Sequence, residues 1–318
     1  MFLLVFCIGQ AYSYDLSGGA WPLTGPDTEV AFALNPAGGP DGTEQAIADA
    51  LRVWSAQGGA PIRLVNAGLT SAAQFGDLDD DSNTLLFTAT TTGSTLAVSN
   101  KITIGDAIID CDLRFYLANS IGPIAWDTTP EGAPPGSFAL RHTAVHELGH
   151  CLGLGHSTVP GSLMQATTPD AQGPESWQLT EDDRLGLRAL YGVAERDLQV
   201  LDVRAERRGL TLRVANNGAD TAYDVLADVP GTDGASLGDL RSGAEGEALL
   251  LFAEGVDRCE PLSDTLTLRD AAGAEWSSPV AVDPSCGLGG GCSTTGSSPP
   301  LTALALVGLL GSRRRSRA

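Results

Sequence analysis

Apolar and polar positions alternate in short runs along the first third of the chain. Val30 to Leu34 (VAFAL) follows turn residues and predicts a strand. Thr43 to Gln57 (TEQAIADALRVWSAQ) then changes period. Ala46, Ala50, Leu51, Val53 and Trp54 fall on one face at helical spacing behind a capping residue and an acid, which predicts an amphipathic helix. Further strands are predicted at Pro61 to Val65, Thr84 to Thr88, Thr95 to Asn100 and Asp106 to Tyr116, and Pro123 to Gly136 reads as a Pro/Gly-rich loop. Leu179 to Gly192 (LTEDDRLGLRALYG) predicts a helix capped by Thr180 ahead of three acids. From Asp197 the texture changes again. DLQVLDV, LTLRVAN, TAYDVLADV, EALLLFA and DTLTLRD are separated by Gly, Asn and Asp turns, the pattern of a small β-sandwich.

The four histidines of the chain lie at 142, 146, 150 and 156, all inside one short segment containing HELGHCLGLGH. On a helix His146 and His150 share a face, so their ring nitrogens can converge on one ion. Glu147 is close enough to act on a water at that ion without ligating it, the place a general base must occupy. Gly153, free to take positive φ, lets the chain turn back and deliver His156 as a third ligand. Three imidazoles with one open position describe a catalytic rather than a structural zinc site. The competing reading, a core helix with incidental histidines, does not account for Gly153, His156 and the methionine downstream. His142, one turn before His146, reads as a surface or supporting residue and not as a ligand.

These residues resemble the HExxHxxGxxH signature of the metzincin zinc endopeptidases, named for a methionine turn beneath the metal. Met164, apart from Met1 the one methionine of the chain, fits that turn. Ser157 after His156 and the short loop to Leu163-Met164 resemble the matrixin branch. Gln165 and Ala166 offer no tyrosine ligand of the astacin or serralysin kind. The resemblance extends to the order strand, helix, strand, strand and to the LTxDD…LYG pattern of the last helix. It implies an α+β fold class: a metzincin catalytic domain over residues 15–194, with a twisted mixed sheet, long helices and a zinc cleft, followed by a small all-β sandwich over 197–286. It also implies that Asp182 and Asp183 anchor the methionine turn, that the Thr95–Asn100 strand is the sheet edge where substrate backbone docks, and that residues 165–176 wall a side-chain pocket. A second, structural zinc is not carried over, because no histidine is left for it.

Charge narrows the partners. Thirty-nine acidic against nineteen basic residues give a net charge of −20, which argues against nucleic acid and anionic membrane surfaces. Residues 1–13 (MFLLVFCIGQAYS) read as a signal peptide, and a true start upstream of Met1 would supply the missing basic region. No pro-segment with a cysteine switch is expected. Asp77-Leu78-Asp79-Asp80-Asp81 could bind Ca²⁺ or be a solvated turn. Cys111 and Cys151 could pair across strand and helix or stay buried thiols, and Cys259 and Cys286 could close the second domain. That second domain resembles the CARDB-type, immunoglobulin-like domains of bacterial surface proteins. Residues 287–298 form a Gly/Ser linker, and 299–318 carry an apolar run and terminal arginines, a tail similar to the cysteine-containing C-terminal sorting tails of myxobacteria, with Cys292 as its cysteine.

The expected function is a secreted, surface-anchored zinc endopeptidase. His146, His150 and His156 are the metal ligands and Glu147 the catalytic base; a protein or peptide is the substrate, the molecule is a monomer, and it meets the outer membrane only through the C-terminal tail. The alternative is a catalytically silent, zinc-containing adhesion or peptide-binding protein.

Overall fold

The structure is a computed structural model that describes residues 14–73, 75, 82–169, 172–206, 208–254 and 262–282. The leader, the acidic run Asp77–Asp81, Cys259, Cys286 and the tail lie outside those residues. Two compact units are present: one runs up to Arg196 and includes Gly218–Tyr223, and the other comprises Asp197–Asn217 and the residues from Asp224 onward.

The first unit is built on a five-stranded mixed sheet. Its strands are β1 (Thr28–Leu34), β2 (Ile62–Leu69), β3 (Asn83–Thr88), β4 (Ala97–Ile104) and β5 (Ala107–Tyr116), in the order β2-β1-β3-β5-β4. β1 runs parallel to β2 and β3, and β3 parallel to β5; β4 pairs antiparallel with β5 from Ala97↔Phe115 to Ile104↔Ala107 and ends the sheet. Several strands outrun their apolar patterns. β2 continues through Asn66 to Leu69 because pairing with β1 holds it there across a register shift, not because its side chains alternate.

Helix α1 (Thr43–Gln57) buries Ala46, Ile47, Ala50, Leu51, Val53 and Trp54. Its cap differs from expectation. Gly42, at φ 82°, is the N-cap with no side-chain cap bond, while the Thr43 hydroxyl donates back to the Pro40 carbonyl at 2.7 Å. Helix α2 (Leu140–Cys151) packs on α1, and the Trp54 indole N–H donates to the Val145 carbonyl at 2.7 Å. Helix α3 (Glu181–Tyr191) has the predicted Thr180 cap, completed by Asp183 into a reciprocal capping box. The long loop before α2 contains four two-residue strands: β6 (Ala118–Asn119) with β7 (Gly122–Pro123), and β8 (Trp126–Asp127) with β9 (Phe138–Ala139).

The second unit holds two sheets, apart from the first two residues of β12, which are counted with the first unit. β10 (Leu198–Ala205), β11 (Gly209–Asn216) and β14 (Glu245–Leu251) form one, in the order β10-β11-β14. β12 (Ala222–Asp228), β13 (Ala235–Leu240), β15 (Leu262–Arg269) and β16 (Glu275–Val282) form the other, in the order β13-β12-β15-β16. Burial falls on alternate residues in β12, at Val225 and Ala227, and in β14, at Ala248 and Leu250, which gives those strands one apolar, inward face.

Candidate metal centre

Ten of the twelve residues of α2 are buried, and the two that are not are His146 and His150. The helix therefore has no ordinary polar face; its one opening to solvent is the stripe bearing the two imidazoles. It ends in a Schellman turn. The Gly153 amide donates to the His150 carbonyl at 2.9 Å and the Leu154 amide to the Gly149 carbonyl at 3.0 Å, with Gly153 at φ 94°. A side chain at Gly153 would also strike the Gly19 carbonyl oxygen at 2.4 Å. Residues 15–19 run along this turn: the Ser17 amide donates to the Gly153 carbonyl at 2.9 Å and the Gly155 amide to the Asp15 carbonyl at 2.7 Å. The reversal delivers His156, which is exposed, back to the face of α2.

The three histidines offer ligand nitrogens that all lie within 4.8 Å of one another. His150 Nε2 and His156 Nε2 are 3.2 Å apart, close to the roughly 3.3 Å that two nitrogens subtend on a tetrahedral ion at about 2.0–2.1 Å. The tautomers follow from the partners. His146 Nδ1 lies 2.9 Å from the Leu163 carbonyl and His150 Nδ1 lies 2.8 Å from the Leu154 carbonyl. A carbonyl only accepts, so both Nδ1 atoms carry protons and both Nε2 lone pairs are left for a metal. Burial, with help from neighbouring His150, drives the His146 pKa down to about 3, and burial lowers that of His150 as well. Both rings are thus in the neutral form a metal requires. The donor set fits zinc: three imidazoles, two of them neutral and held from behind by carbonyls, beside an open cleft.

Glu147 is 8% exposed and faces the same cleft, whose volume is about 350 Å³. Burial pushes its carboxyl up to about 7, against the pull of hydrogen bonds from the Ser99 hydroxyl and amide on β4. Ala97, Val98, Ser99 and Lys101 of β4 form one wall of the cleft, and His150, His156 and Ser17 line the rest of it beside Glu147. The edge strand of the sheet, which has no further strand paired to it among the described residues, therefore borders the candidate metal site.

Met164, 2% exposed, packs against α2. Gly149 of α2 makes room for it, since a Cβ at that position would lie 2.3 Å from the Met164 sulfur and 2.8 Å from the Trp54 ring. Asp183, 1% exposed, accepts from the Ser162 hydroxyl at 2.6 Å, the Leu163 amide at 3.1 Å and the Met164 amide at 3.2 Å. Asp182 accepts from the Ser157 hydroxyl at 2.7 Å, and the Ser157 amide donates to the Met164 carbonyl at 2.8 Å. The paired aspartates thus tie α3 to both the methionine turn and the residue after His156. Cys111 of β5 and Cys151 of α2 form a disulfide.

His142 departs from one half of its reading. It is buried, with Nδ1 2.6 Å from the Ser176 carbonyl, and supports the helix from within instead of lying at the surface. Several features of the site left no mark on the sequence: the carbonyls of Leu154 and Leu163, Ser99, and residues 15–19. Gly149 had a faint signal, a glycine at mid-helix that costs helix stability without a packing reason.

Residues 18–192 match a family model described as Matrixin. Similar stretches occur in matrix metalloproteinase-25 of Homo sapiens, 53% identical over 59 residues, which cover 17% of this chain and 10% of that protein. Matrilysin of Homo sapiens is 34% identical over 88 residues, covering 28% and 27% respectively. Interstitial collagenase of Sus scrofa is 44% identical over 62 residues, covering 20% and 13%. The chain thus spans about a quarter or less of the length of these relatives.

Proposed function

Because the chain belongs to the matrixin family, whose homology supports a zinc metalloendopeptidase in general, we propose that it hydrolyses peptide bonds in proteins, with His146, His150 and His156 holding zinc and Glu147 as general base. The observation that carries this reading is the clustering of three imidazole nitrogens at a cleft that two of them line together with one buried carboxylate and the edge strand β4. Bound zinc would supply Lewis acidity, bringing water's pKa toward about 7 and polarising the scissile carbonyl.

The chain's own residues do the rest. The edge of β4 receives an extended peptide as an added strand and sets its register over the histidines. Glu147, with its carboxyl near neutrality, takes the proton of the attacking water and passes it to the leaving amine. Ser99 holds that carboxylate at the wall of the cleft between turnovers. Met164 shapes the floor and touches no substrate.

Secretion and surface anchoring belong to the same reading. The leader-like residues 1–13 and the apolar, arginine-ended tail support it, and the Cys111–Cys151 disulfide suits an oxidising compartment. The β-sandwich then serves as a spacer or adhesive module. A silent peptide-binding protein is the rival reading, and the retained Glu147 counts against it.

The test is cleavage of a denatured protein by the purified full chain beside Glu147→Ala, with zinc determined on both. We expect zinc in both and a loss of cleavage of about 10²–10⁴-fold in the variant. Zinc in both with no cleavage by either, over several substrates, would leave the binding-module reading; zinc in neither would overturn the ligand assignment.

A further inference from the structure

Lys101 is the only lysine of the chain, every other basic residue being arginine. Among the described residues it is also the one lysine or arginine lining the cleft. It lies on the same face of β4 as Ser99, two residues along, hence about 7 Å from the point where the strand meets Glu147. An extended peptide paired with that edge would bring a side chain within about two residues of its scissile bond to the ammonium.

The partners of Lys101 are neutral. Its Nζ donates to the Ser17 hydroxyl at 2.5 Å and to the Gly18 carbonyl at 2.8 Å, which engages two of three protons and none of the charge. Among the described residues no carboxylate pairs with it, and the nearby Glu147 is engaged by Ser99. Burial lowers its pKa, so the ammonium already bears a desolvation cost that an incoming carboxylate would offset. A lysine needed only to hold Ser17 and Gly18 could be any neutral donor; a charge left unmatched in a substrate cleft is suited to recognising an anion.

We propose that Lys101 reads an acidic side chain of the substrate, glutamate or aspartate, and so directs cleavage to acidic segments of polypeptide. The inference rests on the peptidase reading above and gives it a substrate class. The chain's net charge of −20 repels acidic peptides at long range, so the preference is local, and added salt screens the repulsion more than the shielded pair.

The experiment digests a proteome-derived peptide library with the full chain and with Lys101→Met, Lys101→Arg and Lys101→Glu, and reads cleavage sites by mass spectrometry. Wild type is expected to enrich Asp and Glu on the order of 10-fold at one position near the scissile bond. Lys101→Arg keeps that enrichment, Lys101→Met loses it, and Lys101→Glu turns it toward Lys and Arg. No acidic enrichment in wild type, or an unchanged profile in Lys101→Met, overturns the proposal. So does an equal fall on all peptides in Lys101→Met, which would assign the lysine to holding residues 17 and 18. Should wild type cleave nothing while retaining zinc, it is the peptidase reading that fails. Titration of the full chain and Lys101→Met with acidic and basic versions of one fluorescent extended peptide then decides for Lys101. Tighter binding of the acidic version, lost in the variant, supports it, and equal binding overturns it.

Discussion

His146 and His150 reach the candidate metal site in a different way from His156. The first two stand on a helix buried on nearly every side, each ring pinned from behind by a carbonyl, so their positions are set by the core. His156 stands exposed on a returning loop, placed by one positive-φ glycine, by the strand-like residues 15–17 alongside and by Ser157 beneath. Two ligands are thus properties of the hydrophobic core, and the third is a property of backbone contacts made by segments far apart in the chain. A site built this way can lose its third arm without losing its fold.

The largest effects would come from the ligands themselves, and there the contrast should vanish. His150→Ala and His156→Ala are each expected to weaken zinc binding by more than about 100-fold, beyond the loss of an outer partner, as measured by competition with a chelator. A much milder loss for His156 would break the comparison, because it would make the loop arm dispensable.

Next in size is Asp183→Ala. Asp183 holds the methionine turn whose Leu163 carbonyl orients His146, so its removal strips the helix arm of its backing and orphans several buried donors. Chemical denaturation should show a loss of about 3–5 kcal/mol, with zinc released in the same transition.

Two glycines give the smallest and most selective test. Gly149→Ala overfills the space between α2 and Met164 and should cost about 1–3 kcal/mol of stability. Gly153→Ala should cost about as much through its positive φ and its approach to the Gly19 carbonyl, yet weaken zinc binding by a further factor of about 10–100, since it displaces the loop arm. Equal effects of the two variants on zinc would mean that helix and loop move as one body.

The two arms also differed in how far they could be read from the sequence. His146, Glu147 and His150 were legible because helical spacing alone puts them on one face, and Gly153 because a turn after a helix needs positive φ. The anchoring by Asp182 and Asp183 was legible only through the resemblance to matrixins. What supports the loop arm was not: Ser17 meets Leu154 across 137 residues, and such a contact leaves no periodic trace. Ser99 on Glu147 and the contact of Gly149 with Met164 were hidden for the same reason, each being a pairing between elements whose own patterns are satisfied without it. The cap of α1 misled in the opposite way, with Thr43 having the right chemistry one position too late, after Gly42 had already made the turn.

The disulfide joins two parts that meet nowhere else by a covalent bond. Cys111 lies in β5, the strand on which the β4 edge rests, and Cys151 closes the helix that carries two of the histidines. Sheet edge and histidine helix are therefore tied into one frame by a bond that a reductant can break. Oxidised and reduced preparations of identical sequence differ in whether that frame is closed, so a profile of preferred substrates is complete only with the redox state of its enzyme.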